Sequence, residues 1–204
     1  MSLSRETEVI FDSRRGQDYH SANPPLYDSS TFHQTVLGGN AQYDYARSGN
    51  PNRTLLEEKL ARLEGGKYAF AYASGIAAIT AVLLTLKSDD HVILPDDVYG
   101  GTFRLTEQIL NRFNIKFTTV NTTNILEIKN AIQSNTKLIY VETPSNPLFK
   151  ITDIRAVARI AKQNNLLLAV DNTFMTPLGQ SPLALGADIV VHSATKFLGG
   201  HSDL

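Results

Sequence analysis

The sequence predicts a three-layer α/β/α domain with a mostly parallel sheet, preceded by an extended N-terminal arm. Three observations carry this prediction. Beyond Gly65-Gly66, short apolar runs alternate with helix-like stretches, the pattern of repeated right-handed βαβ crossovers. One run, Leu166-Leu167-Leu168-Ala169-Val170, has no polar alternation, as expected of a strand buried on both faces. Residues 1–50 show little periodicity but carry Tyr27, Phe32, Tyr43 and Tyr45, more aromatics than a disordered tail would have.

In chain order, residues 1–50 are expected to be an arm that packs on something, including another subunit, and 51–204 the sheet domain. Leu56, Leu60 and Leu63 recur at helical spacing and Gly65-Gly66 ends that helix. Strands are expected at Tyr68–Tyr72, His91–Leu94, Ile115–Val120, Lys137–Val141, Leu166–Val170 and Asp188–Val191. Helices are expected at Ile76–Leu86, Phe103–Arg112, Ile125–Gln133 and Ile154–Lys162, with Asn124 and Asp153 as N-caps of the last two. The sequence ends on Gly199-Gly200-His201-Ser202-Asp203-Leu204 with no closing element, so an N-terminal piece of a longer protein is expected.

Composition narrows the function. A net charge of −1 offers no basic surface for nucleic acid or an anionic membrane. With no cysteine there are no disulfides and no thiolate chemistry. No apolar run reaches the length of a membrane span, and the N-terminus lacks an apolar signal core, so a cytoplasmic protein is expected. His192 and His201 fit no recognised ligand spacing, and no metal site is expected.

In open α/β sheets, ligands bind beyond the carboxyl ends of the strands. Those positions here are rich in small, polar and ionisable residues. Ser74-Gly75-Ile76 opens a helix and can offer a hydroxyl and backbone N–H groups to an anion, or serve only as an N-cap. Asp171 ends an apolar strand and needs a cationic or hydrogen-bonding partner; a protonated pyridine nitrogen would be one, a structural turn another. Lys196 follows the last strand through Ser193 and Thr195. A lysine partly desolvated at a sheet edge can act as nucleophile and base, although any single lysine is more often a surface residue. Tyr99 could stack on a planar ring or pack in the core. Tyr45 and Arg47, two apart in an extended arm, face one way, and arginine suits phosphate.

The ordered set is more specific than its parts. Tyr45-Ala46-Arg47-Ser48-Gly49-Asn50-Pro51, Ala73-Ser74-Gly75, Asp97-Val98-Tyr99-Gly100-Gly101-Thr102, Val141-Glu142-Thr143-Pro144-Ser145-Asn146-Pro147, Val170-Asp171-Asn172-Thr173 and His192-Ser193-Ala194-Thr195-Lys196 span nearly the whole chain. Together they resemble the Cys/Met-metabolism enzymes that depend on pyridoxal 5'-phosphate (PLP), the trans-sulfuration group of lyases and synthases. The resemblance implies a PLP-dependent transferase-like large domain of fold type I. It implies Lys196 as the Schiff-base lysine, Asp171 as partner of the pyridine nitrogen and Tyr99 as the ring-stacking residue. Ser74, Gly75, Ile76, Ser193 and Thr195 fall to the phosphate, Asn146 to the phenolic oxygen, and Thr173 to the site beside Asp171. Tyr45 and Arg47 match a pair donated to the phosphate of a neighbouring subunit, within a homotetramer built as a dimer of dimers.

The stretches Leu94–Leu105 and Asp171–Pro177 look most like bacterial cystathionine β-lyases. The implied reaction is β-elimination of cystathionine to homocysteine, pyruvate and ammonia in methionine biosynthesis. Cystathionine γ-synthase and the cystathionine and methionine γ-lyases are the alternatives, and an inactive cofactor-domain fragment is the non-enzyme one. Ile76 stands where the family often has Met, and Asn52 where Thr is usual. The arginine for the substrate carboxylate and the small C-terminal domain have no counterpart in these 204 residues, so the piece alone is expected to be inactive.

Overall fold

A computed structural model describes residues 4–10, 23–36 and 38–202. The chain divides into two compact units, residues 1–71 and 72–204.

The first unit holds α1 (Arg5–Ile10) and α2 (Pro51–Glu64), and the described residues between them, 23–36 and 38–50, form no strand beyond the isolated bridge of Thr31 with Tyr45. Asn50 caps α2 by accepting from the Asn52 N–H, Pro51 supplies the fixed φ of the first turn, and Gly65 ends the helix at φ 73°. Asn52 also ties the arm down: its side chain accepts from the Tyr27 N–H (3.0 Å) and donates to the Tyr27 carbonyl (3.1 Å). The Asn that departs from the family pattern thus holds both backbone groups of one arm residue.

The second unit is a five-stranded parallel sheet in the order β2-β1-β3-β4-β5, with β1 His91–Pro95, β2 Lys116–Val120, β3 Thr136–Glu142, β4 Leu167–Asp171 and β5 Ile189–Val191. Its helices are α3 (Gly75–Leu83), α4 (Gly100–Arg104), α5 (Ile125–Ala131), α6 (Ile154–Gln163) and α7 (Thr176–Gly179). Alternate residues of each strand feed opposite faces. Ile93, Ile139, Val141, Leu168 and Val170 join Ile128, Val157 and Ile160 of α5 and α6 in one core. Val92, Leu94, Leu138, Tyr140 and Ala169 join Ile79 and Leu83 of α3 in the other. Two cores around one sheet make the expected three layers, and Leu168, Ala169 and Val170 are fully buried. Asn124 and Asp153 cap α5 and α6, accepting from the N–H groups of Leu126 and Ala156.

Two local expectations fail. Tyr68–Tyr72 is not a strand. A strand needs a ladder partner, but the Ala71 N–H donates to the Glu57 carboxylate instead, and Tyr68, Phe70 and Tyr72 stay exposed. The helix expected at Phe103–Arg112 is not uniform: α4 runs into a wider π-type turn at Leu105–Ile109 and a tighter 3₁₀ turn at Leu110–Phe113. Apolar periodicity alone does not separate these ladders.

From β1 the chain first moves outward to β2, then returns to lay β3 on the opposite side of β1. The strand order therefore switches between β1 and β3, and a crevice opens beyond their carboxyl ends.

Candidate functional site

Every sheet-edge residue expected from the sequence lines one cleft of about 200 Å³. Ser74, Gly75 and Ile76 come from the start of α3, Tyr99 follows β1, and Asn146 follows β3. Asp171 and Thr173 end β4, while Ser193, Thr195 and Lys196 follow β5. Tyr45 and Arg47 belong to the N-terminal unit. There, Tyr45 bridges Thr31 and the Arg47 guanidinium sits 4.7 Å from the Tyr45 ring centroid, so the two side chains do meet.

The anion cradle follows from local packing. Ser74 adopts extended backbone, and its hydroxyl oxygen accepts from the Ala77 N–H. The first N–H groups of a helix have no carbonyl partner within it, and here those of Gly75 and Ile76 begin α3 at the cleft. Gly75 is needed for space rather than for its φ. A Cβ there would lie 2.7 Å from the Ser193 Cβ and 3.1 Å from its Cα, so only glycine lets α3 and the β5 loop approach this closely.

Asp171 is buried and held from three directions. Its Oδ2 accepts from the Tyr140 hydroxyl (3.0 Å), and its Oδ1 from the Thr173 N–H (3.0 Å) and hydroxyl (2.5 Å). The Thr173 hydroxyl oxygen in turn accepts from the Ser193 N–H (2.9 Å), linking the ends of β4 and β5. Burial pushes the Tyr140 phenol well above its ordinary range, and the charges of Asp171 and Glu142 push it further. Tyr140 therefore stays a hydroxyl donor to Asp171.

Glu142 ends β3 as Asp171 ends β4, and the two stand side by side in register. Its Oε2 accepts from the Tyr99 N–H (2.9 Å) and its Oε1 from the Asn146 N–H (2.8 Å). Burial raises its pKa to about 7; the hydrogen bond from Tyr99 opposes this and Asp171 adds to it. Glu142, Tyr140 and Gly101 were missed as site residues. The signal for Glu142 lay in its place beyond an apolar strand, the same place that marked Asp171. Gly101 makes room for the Tyr99 ring: a Cβ there would lie 2.3 Å from Tyr99 Cε1.

Lys196 is exposed, in a turn where its N–H donates to the Ser193 carbonyl (3.2 Å) and its carbonyl accepts from Gly200 (2.9 Å). The partial desolvation expected from the sequence is not supplied by the described residues.

These groups fit PLP. The described hydrogen-bond donors to Asp171 are neutral, so its charge suits a protonated ring nitrogen. The helix start and the Ser193 and Thr195 hydroxyls suit a phosphate dianion. Tyr99 offers a ring face, and Lys196 an amine on the same cleft.

The comparisons agree. The sequence model of the family described as "Cys/Met metabolism PLP-dependent enzyme" matches residues 6–204. The cystathionine beta-lyase MetC of Staphylococcus haemolyticus is 86% identical over 204 residues, all of this chain and 52% of that protein. The cystathionine gamma-lyase of Bacillus subtilis is 50% identical over 203 residues, 99% of this chain and 54% of its own. Among solved structures, metB from Corynebacterium glutamicum superposes with a TM-score of 0.95 at 45% identity, covering 100% of this chain and 54% of the other. The cystathionine gamma-lyase from Lactobacillus plantarum, complexed with L-serine, gives 0.92 at 47%, covering 99% and 53%. The chain spans about half the length of the curated relatives it matches.

Proposed function

The chain belongs to the Cys/Met metabolism family of PLP-dependent enzymes, and on that premise we propose that it carries the cofactor on Lys196 as part of a carbon–sulfur lyase. The reaction is β-elimination of cystathionine to homocysteine, pyruvate and ammonia. The 86% identity to a cystathionine β-lyase supports this over the γ-lyase and γ-synthase reactions of relatives near 50%. The observation that carries the reading is the convergence of helix start, aromatic ring, carboxylate and amine on one cleft.

Each residue has its task. The N–H groups of Gly75 and Ile76 and the hydroxyls of Ser74, Ser193 and Thr195 bind the phosphate. Tyr99 stacks on the ring, and Asn146 binds its phenolic oxygen. Bound PLP supplies an electron sink for the bonds at the Cα of an amino acid. Asp171 holds a proton on the ring nitrogen, and Tyr140 and Thr173 hold Asp171. Lys196 Nζ is the nucleophile that anchors the cofactor and the base that takes the Cα proton. Residues 1–50 are the arm, and its Tyr45 and Arg47 reach the phosphate of a neighbouring subunit in a dimer of dimers. The enzyme works in the cytoplasm.

Borohydride reduction of the PLP-loaded full-length protein, followed by peptide mapping, tests the assignment. The adduct is expected on Lys196. An adduct on another residue, or none, overturns it. Pyruvate released from cystathionine identifies the β-reaction, and 2-oxobutyrate the γ-reaction.

A further inference from the structure

Two residues proposed to touch the ring, Tyr99 and Asn146, sit on different loops. Tyr99 follows β1 and begins α4, and Asn146 lies four residues beyond β3. The backbone N–H groups of both residues end on the carboxylate of Glu142, one on each oxygen. Glu142 is 6% exposed and lies on the floor of the crevice where the strand order switches. We infer that Glu142 is the positioning residue of the cofactor site: one buried carboxylate holds the ring-stacking tyrosine and the ring-edge asparagine in register. The inference rests on the functional reading of Tyr99 and Asn146 given above.

The chemistry explains why a carboxylate stands here. A neutral glutamine of the same shape has one acceptor oxygen, and its NH₂ would face an N–H. Only a carboxylate accepts from both loops. The position is costly: burial raises its pKa most, and Asp171 facing Glu142 from β4 and Asp97 from the loop after β1 raise it further. Tyr140, two residues earlier on β3, points its hydroxyl at Asp171 rather than at Glu142. Lys196 is the cation on the same cleft. A buried acid among acids earns its place through the two N–H groups that it holds.

Asp97 completes the set from the far side. Its Oδ2 accepts from the Ser145 hydroxyl and from the Leu148 N–H (3.0 Å). Asp97 of the β1 loop thus reaches the β3 loop, and Glu142 at the end of β3 is the carboxylate that reaches both ring-facing residues.

The test is a double-mutant cycle on the PLP-loaded protein, E142Q against Tyr99→Ala, read by cofactor affinity and by the circular dichroism of the bound cofactor. Loss of one charge-assisted hydrogen bond predicts about tenfold weaker PLP binding in E142Q. The dichroism per bound cofactor is expected to fall as the ring loses its fixed stack. In the Tyr99→Ala background the same change is expected to cost at most about threefold, because its main route is gone. Additive losses, or an E142Q protein with native dichroism and a changed melting temperature only, would reduce Glu142 to a structural residue and overturn the inference. Wild-type protein that takes up no PLP would bring down the functional reading itself. Wild-type uptake with an unchanged E142Q brings down only this inference.

Discussion

Gly75→Ala isolates the packing on which the anion cradle depends. The alanine Cβ would lie 2.7 Å from the Ser193 Cβ, 2.9 Å from its Oγ and 3.1 Å from its Cα. Carbon pairs rest at about 3.5–4.0 Å, so α3 or the β5 loop must retreat by roughly 1 Å. Two effects oppose each other. Alanine favours the helix and restricts the unfolded chain, a gain of about 0.4–1 kcal/mol. Overpacking against backbone costs about 1–3 kcal/mol. The clash wins because the Ser193 Cα cannot rotate away, and a net loss of about 1–2 kcal/mol is expected. For a chain of this size that lowers the melting temperature by about 2–8 °C. The retreat also parts the Gly75 and Ile76 N–H groups from the Ser193 side, so PLP affinity is expected to fall about tenfold. Thermal melting followed by far-UV dichroism and PLP titration followed by absorbance are the assays. Adding Ser193→Gly, which removes the two nearest atoms, should recover part of the lost stability. A melting temperature within about 1 °C of wild type and an affinity within twofold would refute the close approach.

Two further predictions follow from the site. Arg47→Ala is expected to weaken PLP binding about tenfold through the lost phosphate contact, measured by equilibrium titration of the assembled protein; unchanged affinity removes the shared site. Glu142 gives a pH signature. Its pKa is higher folded (about 7) than at the ordinary 4.5, so the folded state holds the proton more tightly. Stability is then lost as pH rises from 4.5 to 7, and the loss is complete above 7. The full cost of ionisation is about 3 kcal/mol. Urea unfolding at pH 5 and pH 8 should show wild type losing up to this amount relative to E142Q; parallel pH profiles would contradict the burial of this acid.

The sequence determined the alternation of strands and helices, the caps Asn124 and Asp153, and which residues stand at strand ends. These are local matters: periodicity, a side-chain oxygen beside a free N–H, an apolar run meeting a polar one. It also picked out residues that the fold brings to one cleft, because their order along the chain was specific even where each was weak alone. It misread Tyr68–Tyr72, where alternating aromatics suggested a strand but the described residues supply no ladder partner and Glu57 takes the Ala71 N–H. The described residues leave Lys196 exposed, since burial depends on what covers a loop. Only the tertiary structure decided that β1 and β3 are neighbours, and hence that a carboxylate at 142 could hold residues 99 and 146. Strand order is set by which faces bury together across the sheet, and no spacing along the chain records it. The same holds for Gly75, whose reason for being glycine is Ser193, 118 positions away in sequence yet so near that a Cβ on residue 75 would collide with it.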